Sequence, residues 1–276
     1  MELAFTKMHG LGNDFMVIDN TALTVELDIA RIRRLASRKT GVGFDQLLIV
    51  EPASVPDAEF DYRIYNADGG EVEHCGNGAR CFARFVTDRG LTSSRIIPVN
   101  TLNGMITLKL VDNGDVTVAM GVPKFSPAEI PFVAAAEKPS YLLQVGEQAM
   151  SVGVAAIGNP HVLVQVDDVE AADVAHLGPL IENHERFPQR VNVGFMQRID
   201  ATHARLRVFE RGVGETLACG TGACAAVAIA HRQGLLERRV TVSLTGGELE
   251  IVWPDDAVSI EMTGPCSTVF EGLTKM

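Results

Sequence analysis

Apolar and polar residues alternate along two pairs of short segments in this chain. Met105-Ile106-Thr107-Leu108-Lys109-Leu110 and Val116-Thr117-Val118-Ala119-Met120 flank Asp112-Asn113-Gly114-Asp115. A period of two on both sides of an Asn-Gly turn predicts a β-hairpin. Val240-Thr241-Val242-Ser243-Leu244 and Leu249-Glu250-Ile251-Val252-Trp253, around Gly246-Gly247, predict a second one. Helices are predicted at Asp28 to Lys39, Gly76 to Asp88 and Gly220 to Gly234, the last stopped by Gln233-Gly234. The second and third begin with runs that are apolar or small on nearly every face: Ala79, Cys81, Phe82, Ala83 and Phe85, then Ala223 through Ala230. A helix apolar all round is a buried one. The expected fold is therefore α/β, each half a mostly antiparallel or mixed β-sheet wrapped around a central helix whose N-terminal tip is exposed. Pro123, Pro127, Pro131 and Pro139 mark a predicted linker.

The two buried-helix segments open on the same words. Glu73-His74-Cys75-Gly76-Asn77-Gly78-Ala79-Arg80-Cys81 is echoed by Leu217-Ala218-Cys219-Gly220-Thr221-Gly222-Ala223-Cys224. Each sets a cysteine before Gly-x-Gly at a helix start, where open backbone N–H groups and the positive helix end favour thiolate. The echo extends outward. Gly12-Asn13-Asp14-Phe15 matches Gly158-Asn159-Pro160-His161, Gln46 falls opposite Asn192, and Asn66-Ala67-Asp68-Gly69 matches Glu210-Arg211-Gly212-Val213. This is a half-chain duplication, without the 20–50-residue period of a solenoid. A duplicated polar, glycine-flanked set implies two halves closing on one ligand, with paired cysteines as matched bases. Structural helix caps are the competing reading.

Composition narrows the class. With 276 residues and 46% hydrophobic content there is material for two domains, each with a core. A net charge of -11 and a pI near 5.1 argue against nucleic acid or an acidic membrane surface as partner. No apolar run reaches membrane-spanning length and the first residues do not resemble a signal peptide, so a cytoplasmic protein with reduced cysteines is expected. Five cysteines spaced C-x5-C and C-x4-C suit neither a disulfide framework nor a zinc site, so no metal is expected.

Gly220-Thr221-Gly222-Ala223-Cys224-Ala225 also fits the dinucleotide fingerprint. The flanking hairpins do not make the βαβ unit that fingerprint needs, and helix-start amides suit a carboxylate as well. His161 is the one histidine inside a duplicated motif; His74 adjoins Cys75 and points toward or away from a site with equal ease. Cys81, Cys224 and Cys266 read as small buried hydrophobes.

Thr6 through Phe15, Asn66 to Gly69, Cys75 to Arg80, Gly158 to His161, Glu210-Arg211-Gly212 and Ala218 to Gly222 resemble, in order and over nearly the whole chain, the diaminopimelate epimerases. The resemblance implies a cofactor-independent isomerase, with no pyridoxal phosphate, that interconverts LL- and meso-diaminopimelate on the route to lysine and peptidoglycan. It implies two pseudosymmetric domains, 1–120 and 121–262, with the active site in the interdomain cleft and a tail at about 263–276 returning to the first. It also implies a homodimer; Phe270 stands where some members carry a tyrosine at the dimer contact.

Inverting a stereocentre without a cofactor needs a base on each face of the α-carbon, and Cys75 and Cys219 are the expected pair. Amides of Gly76-Asn77 and Gly220-Thr221 would bind the reacting carboxylate. By resemblance, Asn13, Asn66, Asn159, Asn192 and Arg211 surround the distal amino-acid end, the arginine offering a two-pronged fork. Glu210 is expected at the substrate ammonium and, with His161, to tune the thiols, while Gln46 lines the same pocket. A proline-racemase-like enzyme shares the two-cysteine logic, but Asn77 and the amide-rich set with Arg211 argue against it. A non-catalytic binding protein would not need both thiols.

Overall fold

The computed structural model describes residues 2–72 and 75–275. Among the described residues, four helices sit among many short strands, a mixed α/β protein dominated by strand. The chain forms two compact units, one of residues 1–119 with 263–276, the other of residues 120–262.

The first unit opens with β1 (Glu2–Gly10), antiparallel to β2 (Asn13–Asp19), and continues through α1 (Ile29–Ala36) into β3 (Gln46–Pro52), parallel to β2. β4 (Phe60–Asn66) runs antiparallel to β3 and leads into α2 (Gly76–Asp88). Then β5 (Ile96–Thr101), parallel to β4, pairs antiparallel with β6 (Gly104–Leu110), which forms the predicted hairpin with β7 (Val116–Ala119). Gly114 carries the positive φ, +89°, that this tight turn requires. α2 packs on β1, β2, β3, β6 and β7. Ten of its residues are buried, as expected of a helix apolar on nearly every face.

The second unit has β8 (Tyr141–Val145) and β9 (Gln148–Ala156), then β10 (Pro160–Gln165), antiparallel to β9. α3 (Val174–Glu182) precedes β11 (Asn192–Arg198), which is parallel to β10, and β12 (His203–Glu210) returns antiparallel to β11. A short β13 (Gly214–Thr216) leads to α4 (Gly220–Arg232), which packs on β9, β10, β11 and the later β15. β14 (Arg239–Leu244) and β15 (Gly247–Val252) form the second predicted hairpin. The chain leaves through β16 (Glu261–Gly264), and β17 (Ser267–Lys275) pairs antiparallel with β1.

Each unit thus shows an antiparallel pair, a parallel step across a helix, an antiparallel return and a second buried helix. In one, Phe15 lies opposite Gln46; in the other His161 lies opposite Asn192, each residue 146 positions later.

Two expectations are corrected. The segment 123–139 is no linker between the units: it lies within the second, although residues 135–139 are exposed. Lys124 bridges Ala156, Ile130 and Phe132 are buried in the second unit's core, and the Phe132 ring stacks on Phe187 at 4.9 Å. Ile130 and Phe132 leave water here, while Val133 stays exposed. The first helix is also shorter than Asp28 to Lys39: Asp28 caps its start through the Arg31 N–H, and Ser37 closes it.

Candidate functional site

Strand ends place the first cluster. Asn13 begins β2, Gln46 begins β3 and Asn66 ends β4, so the three sit at one edge of adjoining strands. Gln46 Nε2 donates to Asn66 Oδ1 at 2.9 Å; Gln46 Oε1 is buried with no hydrogen-bond partner among the described residues.

Cys75 is the N-cap of α2, in extended conformation, and its Sγ accepts the Gly78 N–H at 3.5 Å. The thiol donates to Asn13 Oδ1 at 3.7 Å, and Asn77 Nδ2 reaches the same oxygen at 3.4 Å. Gly76 and Asn77 form the buried first turn. Glu73 and His74, the latter adjoining Cys75 in sequence, lie outside the described residues. Gly78 is required sterically: an added Cβ would come within 2.5 Å of the Tyr62 hydroxyl.

Behind Asn13 is a charged network that single-residue reading missed. Asp14 takes both Arg38 guanidinium nitrogens, at 2.9 and 2.7 Å, and pairs with Lys7. Arg38 also donates to Asp45 Oδ1 at 2.7 Å. Burial pushes the Asp14 carboxyl up, but the bonds from Arg38 and Lys7 outweigh it and hold it well below the usual carboxylate range. Asp45 Oδ2 accepts from Asn13 Nδ2 and from the Asp14 N–H, each at 3.1 Å. The signal available in sequence was only that these charges flank Asn13 and Gln46.

The second cluster repeats the placement. Asn159 precedes β10, His161 lies in it, Asn192 begins β11 and Glu210 ends β12. His161 Nε2 lies 2.7 Å from Asn159 Oδ1. Burial, with the Arg211 charge nearby, pushes His161 down to about 3, so its ring is neutral at neutral pH. An Nε2–H donating to the carbonyl oxygen then leaves Nδ1 as acceptor. Asn192 is buried; its Nδ2 donates to the Pro160 carbonyl at 3.0 Å and its Oδ1 accepts the Arg211 N–H at 2.9 Å. Arg211 Nη1 donates to the Gln189 carbonyl at 3.0 Å, and Glu182 takes the Gly212 N–H at 2.8 Å, pinning the Arg211-Gly212 turn. Glu210 accepts from the Thr216 hydroxyl at 2.5 Å.

Cys219 is the N-cap of α4, with Thr221 Oγ1 3.5 Å from its sulfur and Gly220 buried in the first turn. The expectation of an exposed, thiolate-favouring tip fails here. Cys219 is only 5% exposed, and burial, reinforced by the Glu210 carboxylate, pushes its thiol well above the ordinary range. Desolvation of a sulfur anion outweighs the helix start.

Among the remaining cysteines, Cys81 and Cys224 are buried as expected. Cys266 is not: it is half-buried, donates to the Arg80 carbonyl at 3.3 Å and shares a hydrogen bond with the Cys81 thiol that pulls it below its ordinary value. Phe270 on β17 lies opposite Lys7, edge-on to Phe5 at 5.9 Å and half exposed. Among the described residues, no group of three or more His, Cys, Asp or Glu could hold a metal ion, and no helix is long and apolar enough to cross a membrane.

A profile of the diaminopimelate epimerase family matches residues 5–126 and 153–269. A diaminopimelate epimerase of Chromobacterium violaceum is 56% identical over 272 residues, 99% of either chain. One of Acinetobacter baumannii strain AYE is 58% identical over 273 residues, 99% of this chain and 97% of the relative. Among solved structures, a hydroxyproline epimerase of Agrobacterium vitis with bound trans-4-hydroxy-L-proline matches with a TM-score of 0.70. It is 15% identical and covers 99% of this chain and 92% of that one. That likeness is one of fold.

Proposed function

The chain belongs to the diaminopimelate epimerase family, and on that premise we propose that it interconverts LL- and meso-diaminopimelate without a cofactor, by proton exchange between Cys75 and Cys219. The observation that carries this reading is the recurrence of one device. A cysteine caps a buried helix in each unit, beside amide-bearing strand ends, in a chain 56–58% identical to named epimerases over nearly its full length.

The chemistry needs one thiolate and one thiol that trade states each turnover. Cys219, buried beside Glu210, is the member held as thiol. Cys75, half-buried and already accepting the Gly78 N–H, is the member suited to carry charge. Amides of Gly76-Asn77 and Gly220-Thr221 stabilise charge that develops on the reacting carboxylate. Asn66, Asn159 and Arg211 serve the distal amino-acid end, Asn192 through its hold on the Arg211 backbone, Glu210 the ammonium, and Gln46 offers its buried Oε1 to a substrate donor.

In this reading the two units are pseudosymmetric halves, 1–120 with the returning tail and 121–262, that close on one α-carbon. The protein acts in the cytoplasm as a homodimer, and the exposed Val269, Phe270 and Leu273 of β17 support a partner there. A proline-racemase-like activity is the second reading, favoured only by the shared fold. Purified protein given LL-diaminopimelate and no cofactor should yield the meso form on chiral chromatography; turnover of proline isomers instead would overturn the proposal.

A further inference from the structure

Asn13 touches three groups with its one side-chain amide, and an amide has a donor end and an acceptor end. Asp45 Oδ2 lies 3.1 Å from Asn13 Nδ2 and takes the Asp14 N–H at the same distance. A carboxylate only accepts, so that contact holds when the NH2 end faces Asp45. The acceptor end is then turned the other way, 3.7 Å from Cys75 Sγ and 3.4 Å from Asn77 Nδ2. Asp45 is itself held: Arg38 grips its Oδ1 and both Asp14 oxygens, and Lys7 anchors Asp14 from the buried side.

We infer that Asp45 is a positioning residue that fixes the amide of Asn13 so that its carbonyl oxygen, rather than its NH2, faces the Cys75 thiol. The consequence is chemical. Cys75 Sγ meets a donor, the Gly78 N–H, and an acceptor, Asn13 Oδ1. The donor supports the sulfur when it is anionic, and the acceptor holds the S–H when it is protonated. A group that must alternate between the two states uses both. Were the amide reversed, its NH2 would face the sulfur and the protonated state would lose the Asn13 acceptor. Among the described residues, Tyr62, Cys81 and Arg80 of the same unit also interact electrostatically with Cys75. This assignment rests on Cys75 being a proton-transfer thiol, but its test reads thiol chemistry without turnover.

The test is iodoacetamide alkylation of Cys75 at pH 7, followed by peptide mass spectrometry, in the full chain, Asp45→Asn, Asn13→Ala and the double variant. Asp45→Asn lets the amide reverse. Exchanging one neutral hydrogen bond for another shifts the thiolate fraction roughly tenfold, and reduced nucleophilicity leaves a gain of roughly threefold in rate. In the Asn13→Ala background the same substitution should change nothing. Equal effects in both backgrounds, or no effect in the wild-type one, would overturn the assignment. The fully buried Cys81 should stay protected in every variant, which reports an intact unit. If Asp45→Asn does not fold, the wild-type protein still decides. A strong nuclear Overhauser effect is expected between the Asn13 side-chain NH2 and the Asp14 N–H, which share one carboxylate oxygen, and its absence would count against the inference.

Discussion

The side-chain carbonyl of Asn192 accepts the backbone N–H of Arg211 at 2.9 Å while its NH2 donates to the Pro160 carbonyl at 3.0 Å. Both ends of this buried amide are committed to backbone, so it ties β10 to the turn that carries Arg211. Asn192→Ala strands the buried Pro160 carbonyl and the part-buried Arg211 N–H, at a cost of about 1–3 kcal/mol. Thermal melting should show that loss, and KM for diaminopimelate should rise more than kcat falls. An unchanged KM would mean that the position of Arg211 does not depend on Asn192.

Glu210 offers a test of what holds the Cys219 proton. Burial is the larger cause and the Glu210 carboxylate the next. In a Cys75→Ala background, the thiolate absorbance of Cys219 against pH should move to lower pH on Glu210→Gln. It should still lie above the ordinary thiol range, because burial remains. A profile that did not move would remove Glu210 from the thiol's surroundings.

His161 gives a pH dependence of stability whose sign follows from its burial. The folded chain holds it near 3, and the ordinary imidazole value is 6.5. Between these values the unfolded chain binds a proton that the folded chain refuses, so this contribution is complete above about pH 6.5 and is lost as pH falls toward about 3. Its full size is about 5 kcal/mol. Denaturant midpoints for wild type and His161→Gln should diverge above pH 6.5 by a constant amount and converge on acidification. Parallel curves down to pH 4 would contradict the burial of a neutral ring.

The two Gly-x-Gly motifs should differ in what a methyl group does. At Gly78 an added Cβ meets the Tyr62 hydroxyl at 2.5 Å, and at Gly222 it meets Val208 and the Cys219 sulfur at 3.2 and 3.3 Å. Gly78→Ala should therefore cost about 1–3 kcal/mol of stability through overpacking. Gly222→Ala should cost less but displace the sulfur, lowering kcat with little change in melting temperature. The opposite ranking in a melting experiment would refute the steric account.

Much of this arrangement was legible in sequence because local rules carried it. α2 begins at Gly76 and ends at Asp88 as read, since a cap residue and an apolar run mark it. The offset between Asn13 and Asn159 recurs in the strand registers because each strand's start is tied to its motif. α3 was missed: nine residues with Pro179 inside and four buried positions give no clear period. The prolines of 123–139 hid a core segment, because Ile130 and Phe132 bury against residues distant in sequence. Asp45 escaped notice for the same reason. Its partners Asn13 and Arg38 come together only through the parallel pairing of β2 and β3 and the turn after α1. The depth of Cys219 was likewise invisible to a rule that sees only a helix start.

The central claim is that two thiols act on opposite faces of one α-carbon. Loss of one partner should cost at least roughly 10²–10⁴ in rate, so Cys75→Ala and Cys219→Ala should each abolish epimerisation. The most direct measurement is the early course of epimerisation of LL-diaminopimelate in D2O with no cofactor, read by mass spectrometry of both isomers. The meso product should carry one deuterium at the inverted carbon from its first appearance, while the remaining LL substrate stays unlabelled. The proton taken by one sulfur is not the one returned by the other. Label entering both isomers equally from the start, or protium retained in the product, would mean that a single base serves both faces.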